Sequence, residues 1–305
     1  MPAEVNGLWL NQYVSPQLLK EFKNYKDDFM STLKPAPLAA VSADGIRMHK
    51  LVNNVEFLVN NADPFTATGM DGKKVIIPWD KLDTTPTKVD DAEARSLPFD
   101  KRAAVRVKHT ESFKLGSRNY VMQKLAPASD SASTPVLRTT GQDDGTGRKR
   151  LTYADLIRFH AAVKALNLPN TNELFLILCA EHSQDLILDR ANTNNNRDIV
   201  IDSVTGKLKR FYEIKLFENN YNPKYAADGT LKAIGAAPVG TDKNASVFYY
   251  APNTVWHVNK VKILYKPETE DTTSADPASE FRTQTYALCE KTQEYGFGAI
   301  VSGNV

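Results

Sequence analysis

The chain has 305 residues, of which 42% are hydrophobic and 24% charged, an ordinary globular composition that allows one large core or two smaller units. Its formal net charge of +2 argues against a protein that binds nucleic acid through overall charge. Its two cysteines, Cys179 and Cys289, have neither CxxC nor His/Cys ligand spacing, which excludes a disulfide framework and the usual zinc and redox motifs.

The N-terminal residues carry no basic segment followed by an apolar run, so residues 1–13 do not resemble a signal peptide. No apolar stretch approaches the ~18–20 residues that a membrane-spanning helix needs. From these two features we expect a soluble protein that is made in the cytoplasm and does not associate with a membrane.

Two short segments near the N-terminus are predicted to be helical. In residues 15–33, Ser15 can cap the helix and Pro16 occupies its first position. A second helical or mixed piece is predicted over residues 47–59. Because such short pieces have little core of their own, we expect an arm that wraps over another surface.

Residues 73–124 form a charged stretch with two predicted strands. The first covers residues 73–79, and the second, over residues 103–109, alternates apolar and basic side chains. The whole stretch carries 12 Lys and Arg against 7 Asp and Glu, a local charge of +5. Since an isolated two-stranded hairpin is marginally stable in water, this excursion favours contact with a neighbouring molecule.

A polar linker and a more regular segment follow. Residues 126–150 are rich in Ser, Thr, Pro, Gly and Asp and are predicted to be a linker. A capping-box pattern at Thr152 and Asp155 predicts the start of a helix. The fully apolar run at residues 174–178 predicts a strand buried on both faces, and a short helix is predicted over residues 183–188.

The C-terminal half is predicted to be mostly strands. An Asn-rich turn covers residues 192–197, and the predicted strands cover residues 199–201, 208–217, 245–250, 258–265 and 296–301. Few helices and many strands predict the α+β class.

An acidic loop is predicted at residues 268–278, and residues 266–280 carry a local charge of −4. The opposite charge of residues 73–124 favours contact between copies of the chain. Two solvated loops of unrelated sign would give the same counts.

No catalytic or metal-binding motif stands out. The sequence has no P-loop, no G-x-S-x-G elbow, no H-E-x-x-H and no EF-hand loop. Glu181, His182 and Ser183 place acid, base and nucleophile side by side, but adjacent residues point in different directions, which favours a strand-to-helix junction with Ser183 as helix cap. His160 is interpreted as a helix-flank residue. We therefore expect no enzyme, no cofactor and no metal site.

The order of these elements resembles the major capsid protein of tailed bacteriophages, the Hong Kong 97 fold that encapsulin shells also use. The resemblance covers most of the chain. Residues 151–157 look like the start of the family's spine helix, and the apolar strand at 174–178 with the helix after it is similar to the family's pattern. Residues 205–220 resemble part of the axial domain, and residues 286–288 and 295–301 resemble the closing strands.

The resemblance implies a division of the chain into six parts. Residues 1–70 would form the N-terminal arm and the start of the peripheral domain, and residues 71–118 an extended β-hairpin loop. Residues 119–180 would form the peripheral domain with its spine helix, and residues 181–252 the axial domain. Residues 253–292 would be return strands of the peripheral domain, and residues 293–305 the C-terminal strand.

The resemblance also implies a function. It implies a structural protein of the virion that self-assembles into the pentamers and hexamers of an icosahedral head enclosing double-stranded DNA, assembled in the host cytoplasm. Its partners would be copies of itself, the portal, scaffolding or decoration proteins, and packaged DNA bound non-specifically at the inner surface. An encapsulin-type compartment and another virion component, such as a tail or decoration protein, remain as alternatives.

Contacts between copies are expected at charged residues and at one aromatic residue. The alternating Arg106 and Lys108 are expected to face acidic residues of an adjacent copy. The candidate contact residues are Trp79, Arg95, Arg102, Arg106, Lys108, Glu268, Glu270 and Asp271.

Overall fold

The structure is a computed structural model that describes residues 29–51, 72–90, 101–193, 199–202 and 204–304. The helices within these ranges are α1 (Lys101–Leu125), α2 (Tyr153–Ala165) and α3 (Ala180–Thr193). The strands are β1 (Gly45–Leu51), β2 (Gly72–Pro78), β3 (Asp80–Asp83), β4 (Thr87–Asp90), β5 (Val136–Arg138), β6 (Arg148–Lys149), β7 (Leu174–Cys179), β8 (Ile199–Ile201), β9 (Leu208–Phe211), β10 (Ile214–Asn219), β11 (Lys224–Tyr225), β12 (Lys243–Tyr250), β13 (Thr254–Lys266), β14 (Ala278–Lys291), β15 (Phe297–Val301) and β16 (Gly303–Asn304).

An eight-stranded mixed sheet organises the larger core. Its strand order is β5-β15-β12-β7-β10-β9-β8, with β11 added to β12. The central strand β7 is buried at all six positions, which explains its uninterrupted apolar sequence. On one face, Leu156, Phe159 and Val163 of α2 pack with Leu186 of α3 onto the sheet. Each such side chain stabilises the fold by roughly 1.5–3 kcal/mol through burial.

The opposite face of this sheet is covered by the C-terminal turns of α1 and by residues just after the undescribed N-terminal segment. Tyr120, Val121 and Leu125 of α1 pack there together with Phe29 and other apolar side chains. The Thr32 hydroxyl and the Tyr249 hydroxyl lie 2.7 Å apart, which fastens the N-terminal residues to β12. The sheet is therefore the middle layer of three.

A second, four-stranded antiparallel sheet is built on two long strands. β13 and β14 pair over their whole length, and β14 also pairs with β3 and β4 on its other side. The N-terminal half of α1 packs across this sheet, where Phe113 contacts Val261 and Phe281 in a small apolar cluster. Helix α1 thus joins the two sheets, because its two halves contribute to different cores.

Strands β1 and β2 form a separate antiparallel hairpin. They pair in register from Gly45 opposite Pro78 to Leu51 opposite Gly72. In the part of the chain that the structure describes, neither strand pairs with either large sheet. Among the described side chains, Ile46, Met48 and Ile77 pack this hairpin on the rest of the chain.

Several sequence predictions are confirmed. Helix α2 begins with the predicted capping box, in which the Asp155 backbone N–H donates to Thr152 Oγ1 and the Asp155 carboxylate accepts from the Thr152 backbone N–H. The buried strand β7 lies where the apolar run predicted it. The predicted strand at residues 73–79 is β2, and the predicted strands of the C-terminal half are β8, β9 with β10, β12, β13 and β15.

The predicted strand at residues 103–109 is wrong, because these residues belong to the first turns of α1. The alternation of apolar and basic residues is local and does not reflect a sheet. Among its described side chains, the buried positions His109, Phe113, Ser117 and Tyr120 follow helical spacing. Thr110, Val121, Met122, Gln123 and Leu125 are also buried. Two of the four evenly spaced positions are polar, so this part of the buried stripe is weak in hydrophobicity.

Other element predictions need smaller corrections. Residues 47–51 form a strand rather than the start of a helical piece, and residues 52–59 lie outside the described ranges. Of the helix predicted at 15–33, only residues 29–33 are described, and they contain a 3₁₀ turn at Met30–Thr32. The short helix predicted at 183–188 extends over Ala180–Thr193, so Ser183 is not its cap.

Two further segments are more ordered than predicted. The predicted linker at 126–150 contributes β5 to the eight-stranded sheet and β6 to a small pair with β16. The residues interpreted as the start of a spine helix form α2, which packs on the eight-stranded sheet, whereas the longest described helix is α1. Among the described residues, no helix is both long and apolar enough to span a bilayer.

Candidate assembly surfaces

The base of the hairpin is anchored at one end of the four-stranded sheet. Ile46 is fully buried and packs with Ile77 and Trp79 against Val255 and Leu288, which lie at that end of β13 and β14. Trp79 separates β2 from β3, and its indole N–H donates to the Ser42 carbonyl at 3.2 Å. Trp79, predicted to contact another copy, is therefore partly buried within its own chain.

The strands of the hairpin carry a concentration of positive charge. β1 and β2 together contain Arg47, Lys50, Lys73 and Lys74, and neither strand contains an acidic residue. The register places Lys50 directly opposite Lys73 at the end farthest from the base, with His49 opposite Lys74 beside them.

The acidic segment predicted from the sequence lies at the opposite end of the four-stranded sheet. Residues 267–277 join β13 to β14 and contain four acidic residues and no basic one. Glu268 and Glu270 lie on a 3₁₀ turn, and the Tyr265 hydroxyl donates to Glu268 Oε2 at 3.4 Å. Hydrogen bonding from the Ser274 side chain lowers the pKa of Asp271, which keeps this carboxylate ionised.

An open groove of about 620 Å³ lies beside this acidic segment. Leu264 and Phe281 supply apolar surface to the groove, and Lys266, Glu280 and Arg282 supply charge. Such a mixture of apolar floor and charged rim is typical of protein contact surfaces. The groove and the acidic segment together form a candidate docking surface at the distal end of the sheet.

The basic residues predicted from the alternating pattern do not form one face. Arg106 and Lys108 lie two positions apart on α1, which places them about 200° apart around the helix. Lys108 is exposed and pairs with Glu111 one turn later, at 3.1 Å. Arg102 lies in the first turn of α1, and Arg95 falls outside the described residues.

Sequence reasoning missed the basic hairpin because residues 47–59 were interpreted as helical and residues 73–79 were paired with the wrong partner. The signal was nevertheless present. Two short segments, at 45–51 and 72–78, each carry two lysines or arginines without any acid. Only the antiparallel pairing brings the two segments together.

The only predicted acid–base–nucleophile cluster does not form a catalytic relay. His182 is completely buried, and its two ring nitrogens lie 2.7 Å from Ser246 Oγ and 2.9 Å from Ser302 Oγ. Ser183 instead donates to Glu218 at 2.8 Å. Burial lowers the pKa of His182 to about 4, so the imidazole is neutral and joins β12 to the C-terminal residues.

The described residues contain no group of three or more His, Cys, Asp or Glu side chains placed to hold a metal ion. Arg148 forms ion pairs with Asp144 at 2.8 Å and with Asp185 at 2.6 Å. These pairs join different segments of the fold, so we interpret them as structural.

Comparison with known proteins gives matches in structure and not in sequence. No protein-family model matches the chain, and no curated protein matches it. Solved structures, by contrast, match over most of its length. The capsid of the cyanophage P-SCSP1u has a TM-score of 0.61 at 12% identity, covering 87% of this chain and 85% of that one.

Two further structures extend the comparison. The acid-stable capsid of Helicobacter pylori bacteriophage KHP30 has a TM-score of 0.59 at 10% identity, with 92% of each chain covered. The virus-like particle from Pyrococcus furiosus has a TM-score of 0.54 at 10% identity, covering 93% of this chain and 96% of that one. The chain therefore has the α+β, Hong Kong 97-like fold of tailed-phage major capsid proteins.

Proposed function

We propose that this chain is a major capsid protein, which assembles into the pentamers and hexamers of an icosahedral phage head that encloses double-stranded DNA. The observation that carries the proposal is the match to phage capsid chains over more than four fifths of both partners. A match of that extent is not limited to a common core motif.

The β1–β2 hairpin gives independent support. A pair of strands that joins neither large sheet gains limited stability from its own chain. In an assembly, a neighbouring copy covers such a hairpin, and many weak contacts add up around a closed shell. The proposed role is therefore structural, and no enzymatic activity is proposed.

We assign the parts of the fold to the shell as follows. The four-stranded sheet and α1 form the peripheral part. The hairpin β1–β2 is the extended loop, and its strands share only residues 72–78 with the predicted range 71–118. The eight-stranded sheet with α2 and α3 forms the axial part around which copies meet. The portal, scaffolding or decoration proteins and packaged DNA remain further proposed partners in the virion.

An encapsulin-type compartment is a second candidate, because the virus-like particle from Pyrococcus furiosus covers 93% of this chain at a TM-score of 0.54. The two candidates share the shell and differ in content. A compartment would hold cargo protein, whereas a phage head would hold DNA and carry a portal.

Electron microscopy of the overexpressed full chain tests the proposal. Closed shells of uniform diameter are the expected result, and they agree with both candidates. Tubes would indicate a tail component, and a chain that stays monomeric at high concentration would contradict the proposal. Mass spectrometry of particles isolated from the natural source then separates portal-bearing, DNA-filled heads from compartments with cargo enzymes.

A further inference from the structure

The eight-stranded sheet has one face that is covered at its centre and exposed toward β8, β9 and β10. One row of cross-strand partners crosses this face and contains Val200, Arg210, Lys215, Phe175 and Tyr249. Because direct cross-strand partners point to the same side of a sheet, these five side chains share the face on which α1 packs. Phe175 and Tyr249 are buried there, whereas Val200, Arg210 and Lys215 are exposed.

Arg210 and Lys215 form a like-charged pair on this exposed end. They are direct partners in the pairing of β9 with β10, and like charges directly opposite each other destabilise a strand pair. Arg210 Nε donates to the Tyr212 carbonyl at 2.5 Å, and Lys215 Nζ lies 5.4 Å from the centre of the Phe175 ring. Neither side chain forms an ion pair with a carboxylate of the described residues. The pair therefore favours an anionic partner from outside the chain.

The helices on the two faces of the sheet differ in charge. Helix α1, on the same face as Arg210 and Lys215, contains seven Lys and Arg residues and one acidic residue, Glu111. Helices α2 and α3, on the opposite face, together contain three Lys and Arg residues and four Asp and Glu residues. The sheet therefore separates a basic side of the molecule from a nearly neutral side.

From this arrangement we propose that the exposed end of the sheet, with Arg210 and Lys215, contacts the phosphates of double-stranded DNA inside the shell. The inference rests on the proposed shell function and identifies the surface that binds its DNA. The 25 residues of α1 extend the basic side over about 37 Å, at about 1.5 Å per residue. A surface of one sign over that length complements a duplex, which carries one negative charge per about 1.7 Å.

The composition of this surface favours DNA over a protein partner. The centre of a protein contact surface is typically apolar and depleted of charged residues. Here the centre is the pair Arg210 and Lys215, and the apolar Val200 lies at its margin on β8. Because contacts to phosphates carry no base information, the DNA contact is independent of sequence.

The salt dependence of DNA binding by the unassembled full chain tests this contact. The variant is Arg210→Gln with Lys215→Gln, and the probe is a short DNA duplex of mixed sequence. Each phosphate contact contributes about one unit to the slope of log affinity against log salt concentration, so the variant is expected to lower this slope by about 2. The variant is also expected to form shells in normal yield, because the pair does not join copies of the chain.

A matched control removes the same two residue types from the opposite face of the sheet. Arg158→Gln with Lys164→Gln changes two side chains of α2 that are both about half exposed. This control is expected to keep the slope of the unmodified chain, and circular dichroism checks that each variant folds. If the double variant fails to fold, the single changes Arg210→Gln and Lys215→Gln carry the same comparison, with an expected loss of about 1 each.

The outcomes that overturn the DNA contact differ from those that overturn the shell function. An unchanged slope in the folded variant, or an equal loss in the control, would contradict the contact. Loss of shells by the folded variant would place the surface between copies instead, and reduced uptake of an acidic scaffolding protein with unchanged DNA binding would assign it to that protein. Failure of the unmodified chain to form any shell would contradict the proposed function itself, whatever the slope comparison shows.

Discussion

Arg148 and Asp185 form a buried bidentate ion pair. Arg148 Nη1 lies 2.6 Å from Asp185 Oδ2 and Nη2 lies 3.0 Å from Oδ1, and both side chains are less than a tenth exposed. Asp185 Oδ2 also accepts the Leu151 backbone N–H at 2.9 Å. The pair ties the segment that precedes α2 to helix α3, so it stabilises a region whose sequence predicts only a linker.

Asp185→Asn is expected to lower the free energy of unfolding by about 3–5 kcal/mol, because it leaves the Arg148 charge buried without full compensation. Urea unfolding of the unassembled chain, followed by fluorescence, measures the change. The matched control is Glu213→Gln, which removes the more exposed pair with Lys164 and is expected to cost less than about 1 kcal/mol. Equal effects of the two variants would contradict the assignment.

Because His182 is buried as a neutral imidazole, we expect the folded chain to lose stability in mild acid. Its pKa is about 4 in the folded chain because of burial, whereas an unfolded histidine has a pKa of about 6.5. The unfolded state therefore binds more protons between these values, so the contribution of His182 is complete above pH 6.5. About 3 kcal/mol of it is lost as the pH falls from 6.5 to 4.

The measurement is the free energy of unfolding at several pH values between 7 and 4. His182→Gln is expected to be less stable at pH 7 but to show a shallower pH dependence than the original chain, by about one proton. His160→Gln, on the face of α2 near Tyr212, serves as control. If His182→Gln keeps the full slope, another group carries the titration.

Alanine substitution at two glycines is expected to change the stability of the chain in opposite directions. A Cβ at Gly116 in α1 and one at Gly206 would both meet no atom within 4 Å, but Gly206 has φ of +69°. Gly116→Ala is therefore expected to stabilise the chain by about 1 kcal/mol through helix propensity. Gly206→Ala is expected to destabilise it by about 1–2 kcal/mol through backbone strain. Thermal unfolding shifts of the same sign would contradict this reading.

The substitution Gly45→Ala is expected to disrupt the β1–β2 hairpin and to leave the rest of the fold intact. A Cβ at this position would clash with the Ile77 carbonyl oxygen across the strand pair, so the base of the hairpin must open. We expect fewer shells and faster proteolysis within residues 45–78, while the eight-stranded sheet keeps its protection against hydrogen exchange. The neighbouring exposed change Asp44→Ala is the control. An unchanged proteolysis pattern would count against the tight approach.

Much of the eight-stranded sheet was predictable, because local signals there agree with the tertiary environment. The apolar run of β7 is buried on both faces, and the Thr152–Asp155 capping box starts α2 as predicted. Helix α1 was missed because its buried stripe includes His109 and Ser117, polar residues that a hydrophobic pattern does not count. The sequence signal that could have predicted this helix is its run of 25 residues without proline.

Only the acidic part of the candidate contact surface could be predicted from the sequence. The acidic segment is contiguous in sequence, so its charge could be counted directly. The two basic segments are β1 and β2, which are 20 residues apart in the chain and come together only through antiparallel pairing. The sequence predicts that Arg106 and Lys108 share one face of a strand, but on helix α1 the two residues lie on different faces.

The amino-acid sequence by itself determined the α+β class, the buried central strand, the capped helix α2 and the acidic segment. Each depends on neighbours within a few residues, where side-chain periodicity and hydrogen bonding act locally. The tertiary structure decided which strands pair, which helix bridges the two sheets, and that opposite charges stand at opposite ends of one sheet. Those features depend on pairings between distant residues, whose register no local pattern specifies.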